Sequence, residues 1–442
     1  MMSKTNRRHF LKTSAAGMAA AGVLSGMSIP SVHAAGSDTI RVALIGCGGR
    51  GRGACFQALN TQGPVQLVAI ADAFEDQAKG FAQLVKQEKG DRCAFTDDTI
   101  FWGMDAYKKA IDCLGPGDVA LLVAPPAFRA MHFEYAVNRG VHIFLEKPFG
   151  VDTPTIKRSI AAWKKAQEKG LKVITGLNNR KYFRTEETVK QIQDGAIGDI
   201  LSCWVYRLHG TCNYAPRDEW TPLQNQLRNY NSFTWISGSP TVDWMVHNID
   251  ICCWSKGMWP VWCQGMGGRQ VRTLKDEVFD HISTEFHYED GVRLMMQVRH
   301  LPNTWHSFRS VIQGSKGMAI VGEGIREPRI FKGYRDLSDD IVWESKAPRN
   351  DSYQEEHNRL FKMIREDLPS EDVDSCIKSN FAAVMARMAM ESGMEITHET
   401  AWNSTYELCP NLDELKFDGP GYIMPREDGT YEDAKQGITK RF

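Results

Sequence analysis

The segment that most constrains the fold of this 442-residue chain is Gly46-Cys47-Gly48-Gly49-Arg50-Gly51. It ends an apolar, β-branched run from Thr39 to Gly46 and opens a helical stretch that reaches about Asn60. In this G-x-G-x-x-G spacing the first glycine permits a tight turn, the second lets the backbone approach a pyrophosphate, and the third lets helix and strand pack closely. The sequence therefore predicts a strand–turn–helix unit that binds a dinucleotide.

A carboxylate closes the next predicted strand, from Val65 to Asp72. At this place, about twenty residues after the glycines, Asp72 can accept hydrogen bonds from an adenosine ribose and would repel a 2′-phosphate. We therefore expect NAD as the cofactor. Arg50 and Arg52 keep NADP open as an alternative.

Strand and helix patterns continue to alternate as far as residue 180, which predicts a doubly wound parallel sheet in an α/β Rossmann domain, residues 36–180. Beyond it the strands become longer, and the run from His281 to Arg299 contains a hairpin turn. We expect an α+β domain with a large open, mainly antiparallel sheet over residues 181–395. An irregular tail follows at residues 396–442.

Asp243 and His247 stand four apart in a predicted helix, Thr241 to Lys256. Side chains at this spacing project from one helical face, and Asp250 continues that face. An unperturbed imidazole titrates near neutral pH, which suits removal of a proton from a hydroxyl. A metal site built on Asp243, His247 and His209 is a weaker alternative because no second paired-ligand motif accompanies it, so we expect no metal.

Four motifs together resemble one enzyme family: the glycine loop, Ala124-Pro125-Pro126, Glu146-Lys147-Pro148 and Gly195-Ala196-Ile197-Gly198. The chain is similar to the glucose-fructose oxidoreductase, inositol dehydrogenase and rhizopine-catabolism (Gfo/Idh/MocA) family. The resemblance implies that Lys147 is a catalytic residue contacting substrate and nicotinamide. It also implies that His247 is an acid/base and that Asp243 positions the substrate or the imidazole. The sequence departs from the family at Arg129, where a histidine is frequent.

Further contacts are expected at or just after the ends of the predicted strands. For the cofactor these are Ala124, Pro125, Glu146, Lys147 and Asn178, in addition to the glycine loop and Asp72. For a sugar substrate we expect Lys147, Arg180, Asp243, Trp244 and His247. Tryptophans cluster between Trp204 and Trp262, and an indole such as that of Trp244 could stack on a sugar ring, although a structural role is favoured for any single one.

Residues 1–35 have the features of a processing signal. Basic residues are followed by an Ala/Gly/Ser-rich stretch and a small-residue cleavage site. The segment Asn6-Arg7-Arg8-His9-Phe10-Leu11-Lys12 resembles the bacterial twin-arginine export motif. We expect export to the periplasm and no integral membrane span after processing.

The charge balance excludes one class of partner, since 53 basic and 54 acidic residues give a net charge of -1 and no surplus of cations for a phosphate backbone. Nucleic-acid binding is therefore not expected. Three functions remain. The first is an NAD(P)-dependent oxidoreductase of sugars, glycosides or polyols with internally recycled cofactor, the second a glycosidase or lyase using transient oxidation, and the third a sugar-binding protein with structural NAD. A homo-oligomer formed through the C-terminal sheet is also expected.

Overall fold

Six parallel strands form the first sheet, in the order β3-β2-β1-β4-β5-β6. A computed structural model describes residues 38–322 and 327–442, so the predicted signal at 1–35 lies outside the described residues. The strands are β1 Ile40–Ile45, β2 Val65–Asp72, β3 Ile100–Trp102, β4 Val119–Leu122, β5 His142–Leu145 and β6 Val173–Thr175. This topology confirms the predicted doubly wound Rossmann sheet.

Helices cover both faces of this sheet because its central strands are apolar on both sides. They are α1 Gly49–Leu59, α2 Glu75–Lys89, α3 Ala106–Asp112, α4 Arg129–Arg139 and α5 Thr153–Glu168. In β1, for example, Ala43 and Ile45 belong to one buried cluster, while Val42 and Leu44 belong to another. Alternate residues of a strand thus fill two separate core layers.

The second sheet has nine strands in the order β14-β13-β12-β11-β7-β10-β9-β8-β15. Its strands are β7 Ile200–His209, β8 Trp262–Gly268, β9 His281–His287, β10 Arg293–His300, β11 Ser307–Gly314, β12 Gly317–Val321, β13 Arg329–Phe331, β14 Ile341–Glu344 and β15 Ile396–Thr397. All neighbours pair antiparallel except β7 and β10. The large, mainly antiparallel sheet is therefore confirmed.

The remaining helices are α6 Phe183–Gln193, α7 Pro222–Arg228, α8 Thr234–Ser237, α9 Ser239–Asp243, α10 Val246–Lys256, α11 Ser352–Arg365, α12 Val373–Ser392 and α13 His398–Asn403. Almost every residue of α12 is buried, and it packs on β8. Helix α11 returns to the Rossmann sheet and packs on α1, where Leu360 and Phe361 join the cluster that contains Leu44. The C-terminal half therefore completes one face of the N-terminal sheet.

The prediction of a single helix from Thr241 to Lys256 is wrong. The structure has two helices, α9 and α10, interrupted at Trp244 and Met245. In an unbroken helix the carbonyl of Asp243 would accept the N–H of His247. Here that carbonyl accepts a hydrogen bond from Lys147 instead.

The segment expected to be an irregular tail begins with regular structure. β15 pairs with β8 and forms one edge of the nine-stranded sheet, and α13 follows it. In the described part of the chain no helix is both long and apolar enough to cross a membrane. The eleven cysteines are free thiols, and Cys252 and Cys253 are buried.

Candidate active site

A cavity of about 730 Å³ lies at the carboxyl ends of the parallel strands. Most of the predicted cofactor residues line it together: Gly46, Gly48, Gly49, Arg50, Gly51, Asp72, Ala124, Pro125, Glu146 and Lys147. Asp243 of the second domain lines the same space. The fold thus joins the dinucleotide loop and the predicted catalytic lysine in one continuous cavity.

The three motif glycines, Gly46, Gly48 and Gly51, differ in what a side chain would meet. Gly46 has φ +100°, and a Cβ there would lie 2.7 Å from the backbone nitrogen of Ala124. A Cβ on Gly51 would lie 1.8 Å from the carbonyl oxygen of Gly46, so this glycine allows helix and turn to touch. A Cβ on Gly48 would have no protein atom within 4 Å, which leaves open the space that a pyrophosphate requires.

The Asp72 carboxylate is held by two backbone N–H groups, one from the glycine loop and one from the turn after β2. It accepts hydrogen bonds from the N–H of Cys47, at 2.7 Å, and from the N–H of Phe74, at 2.9 Å. Burial raises the pKa of Asp72, while these two donors act in the opposite direction. Cys47 contributes through this N–H, and its buried thiol faces the carbonyl of Ala71. The arrangement suits a carboxylate held ready to accept from ribose hydroxyls.

Both loop arginines are engaged by protein groups. Arg50 Nε lies 2.8 Å from Glu146 and its Nη2 lies 2.9 Å from Glu356 of α11. Arg52 donates to the carbonyl of Cys47 and to Gln77. Glu146 therefore orders the loop through Arg50, at the edge of the cavity.

Lys147 and Asp243 form an ion pair within the cavity. Lys147 Nζ lies 3.0 Å from Asp243 Oδ1 and 2.6 Å from the Asp243 carbonyl oxygen. The Asp243 side chain is 5% exposed and that of Lys147 18% exposed. An ammonium held in this way, partly desolvated and facing the cavity, can stabilise negative charge that develops on a substrate oxygen.

His247 does not line the cavity, whereas the sequence predicted that it contacts the substrate. It is buried at the start of α10, and its Nδ1 has no hydrogen-bond partner among the described residues. Burial lowers the pKa of His247 well below its usual range, and the cations Lys147 and Arg207 act in the same direction. The imidazole is therefore neutral at physiological pH, which corrects the expectation of an unperturbed titration.

Trp244 occupies the break between α9 and α10. Its ring centroid lies 4.9 Å from that of His209 and 4.6 Å from that of His300, and the Arg207 guanidinium is 5.6 Å away. His209 itself lies 3.3 Å from His300, nitrogen to nitrogen. Within residues 38–322 and 327–442, no group of three or more His, Cys, Asp or Glu side chains could hold a metal ion.

Five predicted residues do not line this cavity: Cys47, Asn178, Arg180, Trp244 and His247. Arg180 is buried and donates to both carboxylate oxygens of Asp250, at 2.7 and 2.8 Å, and also pairs with Asp372. The structure thus gives Arg180 and Asp250 a buried ion pair between elements, not a substrate contact. Asn178 donates to Ser352 at the start of α11.

Arg129 and Tyr230 are among the cavity residues to which sequence reasoning gave no role. Arg129, the departure from the family, is fully buried and donates to the carbonyls of Leu122, Ala124 and Pro148, so it fixes the turn that follows β4. Burial lowers its pKa to about 10. Tyr230 also lines the cavity; nearby Asp243 and burial raise its pKa. No motif marks Tyr230, since its loop is brought to the cavity by tertiary folding.

Family models match both halves of the chain and its N-terminal segment. Residues 40–177 match the oxidoreductase family with an NAD-binding Rossmann fold, and residues 186–320 match the GFO/IDH/MocA C-terminal domain. Residues 4–23 match the twin-arginine translocation pathway signal sequence, which suggests export. The resemblance drawn from the four sequence motifs is thereby confirmed.

Individual relatives are more distant. A glycosyl hydrolase family 109 protein of Shewanella pealeana is 27% identical over 239 residues, 49% of this chain and 47% of that protein. The chain thus matches about half the length of this curated relative.

Two solved structures share the fold. Aldose-aldose oxidoreductase from Caulobacter crescentus has a TM-score of 0.64 at 15% identity, covering 81% of this chain and 99% of its own. Scyllo-inositol dehydrogenase from Lactobacillus casei, crystallised with NAD(H) and scyllo-inositol, has a TM-score of 0.61 at 18% identity with the same coverage. The chain belongs to the Gfo/Idh/MocA family, with an NAD-binding Rossmann domain and that family's C-terminal domain.

Proposed function

We propose that this protein is an NAD-dependent oxidoreductase that acts on a hydroxyl of a sugar, glycoside or polyol and keeps its cofactor bound during turnover. The observation that carries the proposal is the shared cavity, in which Gly48 and Asp72 face the same space as the Lys147–Asp243 pair. The open space at Gly48 and the fixed Asp72 carboxylate fit a dinucleotide.

The chemistry then divides between cofactor and chain. NAD, when bound, supplies the hydride acceptor. Lys147 binds the reacting hydroxyl oxygen and stabilises the charge that develops on it, while Asp243 holds the ammonium in place and accepts from a second substrate hydroxyl. Trp244 has no assigned part in this chemistry, because its ring packs against His209 and His300 and does not line the cavity.

For the proton acceptor our first candidate is His247, which the family resemblance implies; its buried imidazole follows Asp243 by four residues but does not line the cavity. Tyr230 is the second candidate because it lines the cavity beside Asp243. His247→Ala and Tyr230→Phe separate the two. The variant that loses turnover by roughly a hundredfold while retaining its dinucleotide identifies the acid/base.

We propose NAD as the cofactor in preference to NADP, on the basis of Asp72. The test is a comparison of the two dissociation constants with the purified protein stripped of bound nucleotide. Binding of NADP at least as tight as that of NAD would overturn the assignment.

The second candidate function is cleavage of a glycoside through transient oxidation, elimination and return of the hydride. The curated relative of Shewanella pealeana, described as a glycosyl hydrolase family 109 protein, favours it. A panel of chromogenic glycosides, assayed without added NAD, distinguishes the two functions. Aglycone release without NADH supports cleavage, whereas a net oxidised sugar with a reduced second sugar supports the oxidoreductase.

We infer that the mature protein acts in the periplasm, because its N-terminal segment matches a twin-arginine signal sequence. This export route carries folded proteins with their cofactor bound. Since the periplasm does not supply free NAD, the bound cofactor must be reoxidised by the same enzyme in each catalytic cycle. Sustained turnover without added NAD and without stoichiometric NADH release is the expected result; a requirement for free NAD would contradict it.

We further propose a homo-oligomer that uses the face of the nine-stranded sheet opposite α12. Alternate side chains of β7, such as Trp204 and Tyr206, are only partly buried there and line a groove with Val311. Light scattering of the wild type and of Trp204→Glu tests this: the wild type is expected to have a multiple of the monomer mass and the variant a lower mass.

A further inference from the structure

We propose that residues 215–230, held in place by the C-terminal tail, form a clasp over the adenosine end of the cavity, and that Arg228 keeps the clasp closed and slows release of the dinucleotide. The proposal rests on the proposed function in taking NAD as the occupant. It goes further by assigning cofactor retention to residues outside the Rossmann domain.

The cavity has contributions from both domains at its Asp72 end. Asp72 ends β2, Phe74 lies in the turn that follows, and Gln77 lies in α2. Arg217, Trp220, Leu227 and Arg228 line the same space from the clasp. Asp72, at the end of β2, occupies the position that binds the adenosine ribose in this fold, so the clasp residues lie at the adenosine end of the cofactor.

Arg228 makes the principal connection between the clasp and this turn. Its guanidinium lies 4.0 Å from the ring centroid of Phe74 and 4.6 Å from that of Trp220. Its Nη2 lies 2.5 Å from Asp76 Oδ1. One side chain thus joins the clasp to the segment in which the Phe74 N–H donates to Asp72.

The tail supports the clasp from the other side. Gln224 donates to Asp418 at 3.2 Å, and Gln226 donates to the carbonyl of Ile423 at 2.5 Å. Phe417 packs edge-on against Phe74, with ring centroids 5.1 Å apart. Helix α7 is therefore held between the tail and the turn after β2.

These contacts control how fast a bound dinucleotide leaves. The contact of Arg228 with the Phe74 ring and its ion pair with Asp76 are individually modest, but the clasp opens only when both are lost. Closure over the adenosine end would keep NAD bound through export and turnover.

The experiment measures cofactor exchange. The purified protein is analysed by mass spectrometry for bound NAD and then mixed with excess deuterated NAD, and replacement of the bound cofactor is followed over time. Arg228→Ala is expected to exchange about tenfold faster than the wild type. Arg139→Ala is the matched control, because Arg139 pairs with Asp112 at 3.0 Å on the surface of the Rossmann domain, outside the cavity. It should exchange at the wild-type rate.

Asp76→Asn provides a second measurement should Arg228→Ala fail to fold, since the Asp76 side chain is 61% exposed. It should also exchange faster than the wild type, by a smaller factor. Wild-type exchange rates in the folded variants of both positions would overturn the clasp while leaving the proposed function intact. A wild type that neither carries nor binds NAD would overturn the proposed function and the clasp with it.

Discussion

At the scale of single residues, the glycine loop contains one glycine that a side chain would affect only through cofactor binding and another that the fold itself requires. A methyl group on Gly48 meets no protein atom, whereas one on Gly51 collides with the loop itself. We predict that Gly48→Ala folds with an unchanged melting temperature and binds NAD at least about tenfold more weakly, because the methyl group occupies the pyrophosphate space. Calorimetry and NAD titration measure the two effects.

The matched control is Gly80→Ala, an equally open glycine within α2. It should keep full affinity for NAD. Normal affinity in Gly48→Ala would show that the dinucleotide does not approach the loop at this glycine.

Lys147 carries the second prediction. We expect Lys147→Ala to retain its bound dinucleotide and to lose turnover by roughly a hundredfold or more, since the substitution removes the positioned cation beside Asp243. Steady-state kinetics with a responsive sugar, together with mass spectrometry of the cofactor, provide the measurement. Near-normal turnover would remove Lys147 from the mechanism; Lys165→Ala, at an exposed position of α5, controls for loss of a surface charge.

The third prediction concerns His357, which is fully buried against Phe144 with both ring nitrogens unpartnered among the described residues. Burial lowers the pKa of His357 well below its usual range, and Arg50 acts in the same direction. Because the folded-state pKa lies below the unfolded value of about 6.5, this histidine costs stability as the pH falls below that value.

His357→Phe should therefore raise the free energy of unfolding, and the gain should grow by about 1.4 kcal/mol for each pH unit below 6.5. Urea unfolding of both proteins at pH 8 and pH 5.5 measures the difference. The exposed His306→Gln should show no comparable trend. A gain that is independent of pH would contradict the buried, neutral state of His357.

At the scale of elements, α11 is the piece of the C-terminal half that the Rossmann sheet requires. Leu360 lies fully buried in the same cluster as Leu44 and Phe144. We predict that Leu360→Ala costs about 2–4 kcal/mol of unfolding free energy because it leaves a cavity between α11 and the sheet. The free energy of unfolding is measured by denaturant titration, and loss of bound NAD is followed as a second signal. Exposed Lys362→Ala, on the same helix, should be within about 0.5 kcal/mol of the wild type.

At the scale of the whole molecule, the signal sequence at residues 4–23 predicts how the protein leaves the cytoplasm. Changing Arg7 and Arg8 to Lys should abolish export while leaving a folded, NAD-containing protein in the cytoplasm, because the paired arginines are read by the export machinery and not by the fold. Cell fractionation followed by cofactor analysis tests this. Unchanged export of the double variant would mean that another route is used.

The sequence by itself determined the features that depend on neighbouring residues. The strand–turn–helix pattern with its glycine spacing predicted the Rossmann sheet, Asp72 at its strand end and the position of Lys147, since each depends on a local backbone conformation. The hairpin between β9 and β10 followed from a turn in the same way.

The tertiary structure decided the rest, because contacts between distant segments leave no local pattern. Arg50 meets Glu356, 306 residues further along the chain, and the helix before His247 breaks where Lys147 takes the carbonyl of Asp243. Arg180, predicted from its place after a strand, is taken up by Asp250 because burial demands that its charge be paired. Helix α11 packs on the Rossmann sheet, and the clasp around Arg228 lines the cofactor cavity, only because the whole chain folds and brings these distant segments together.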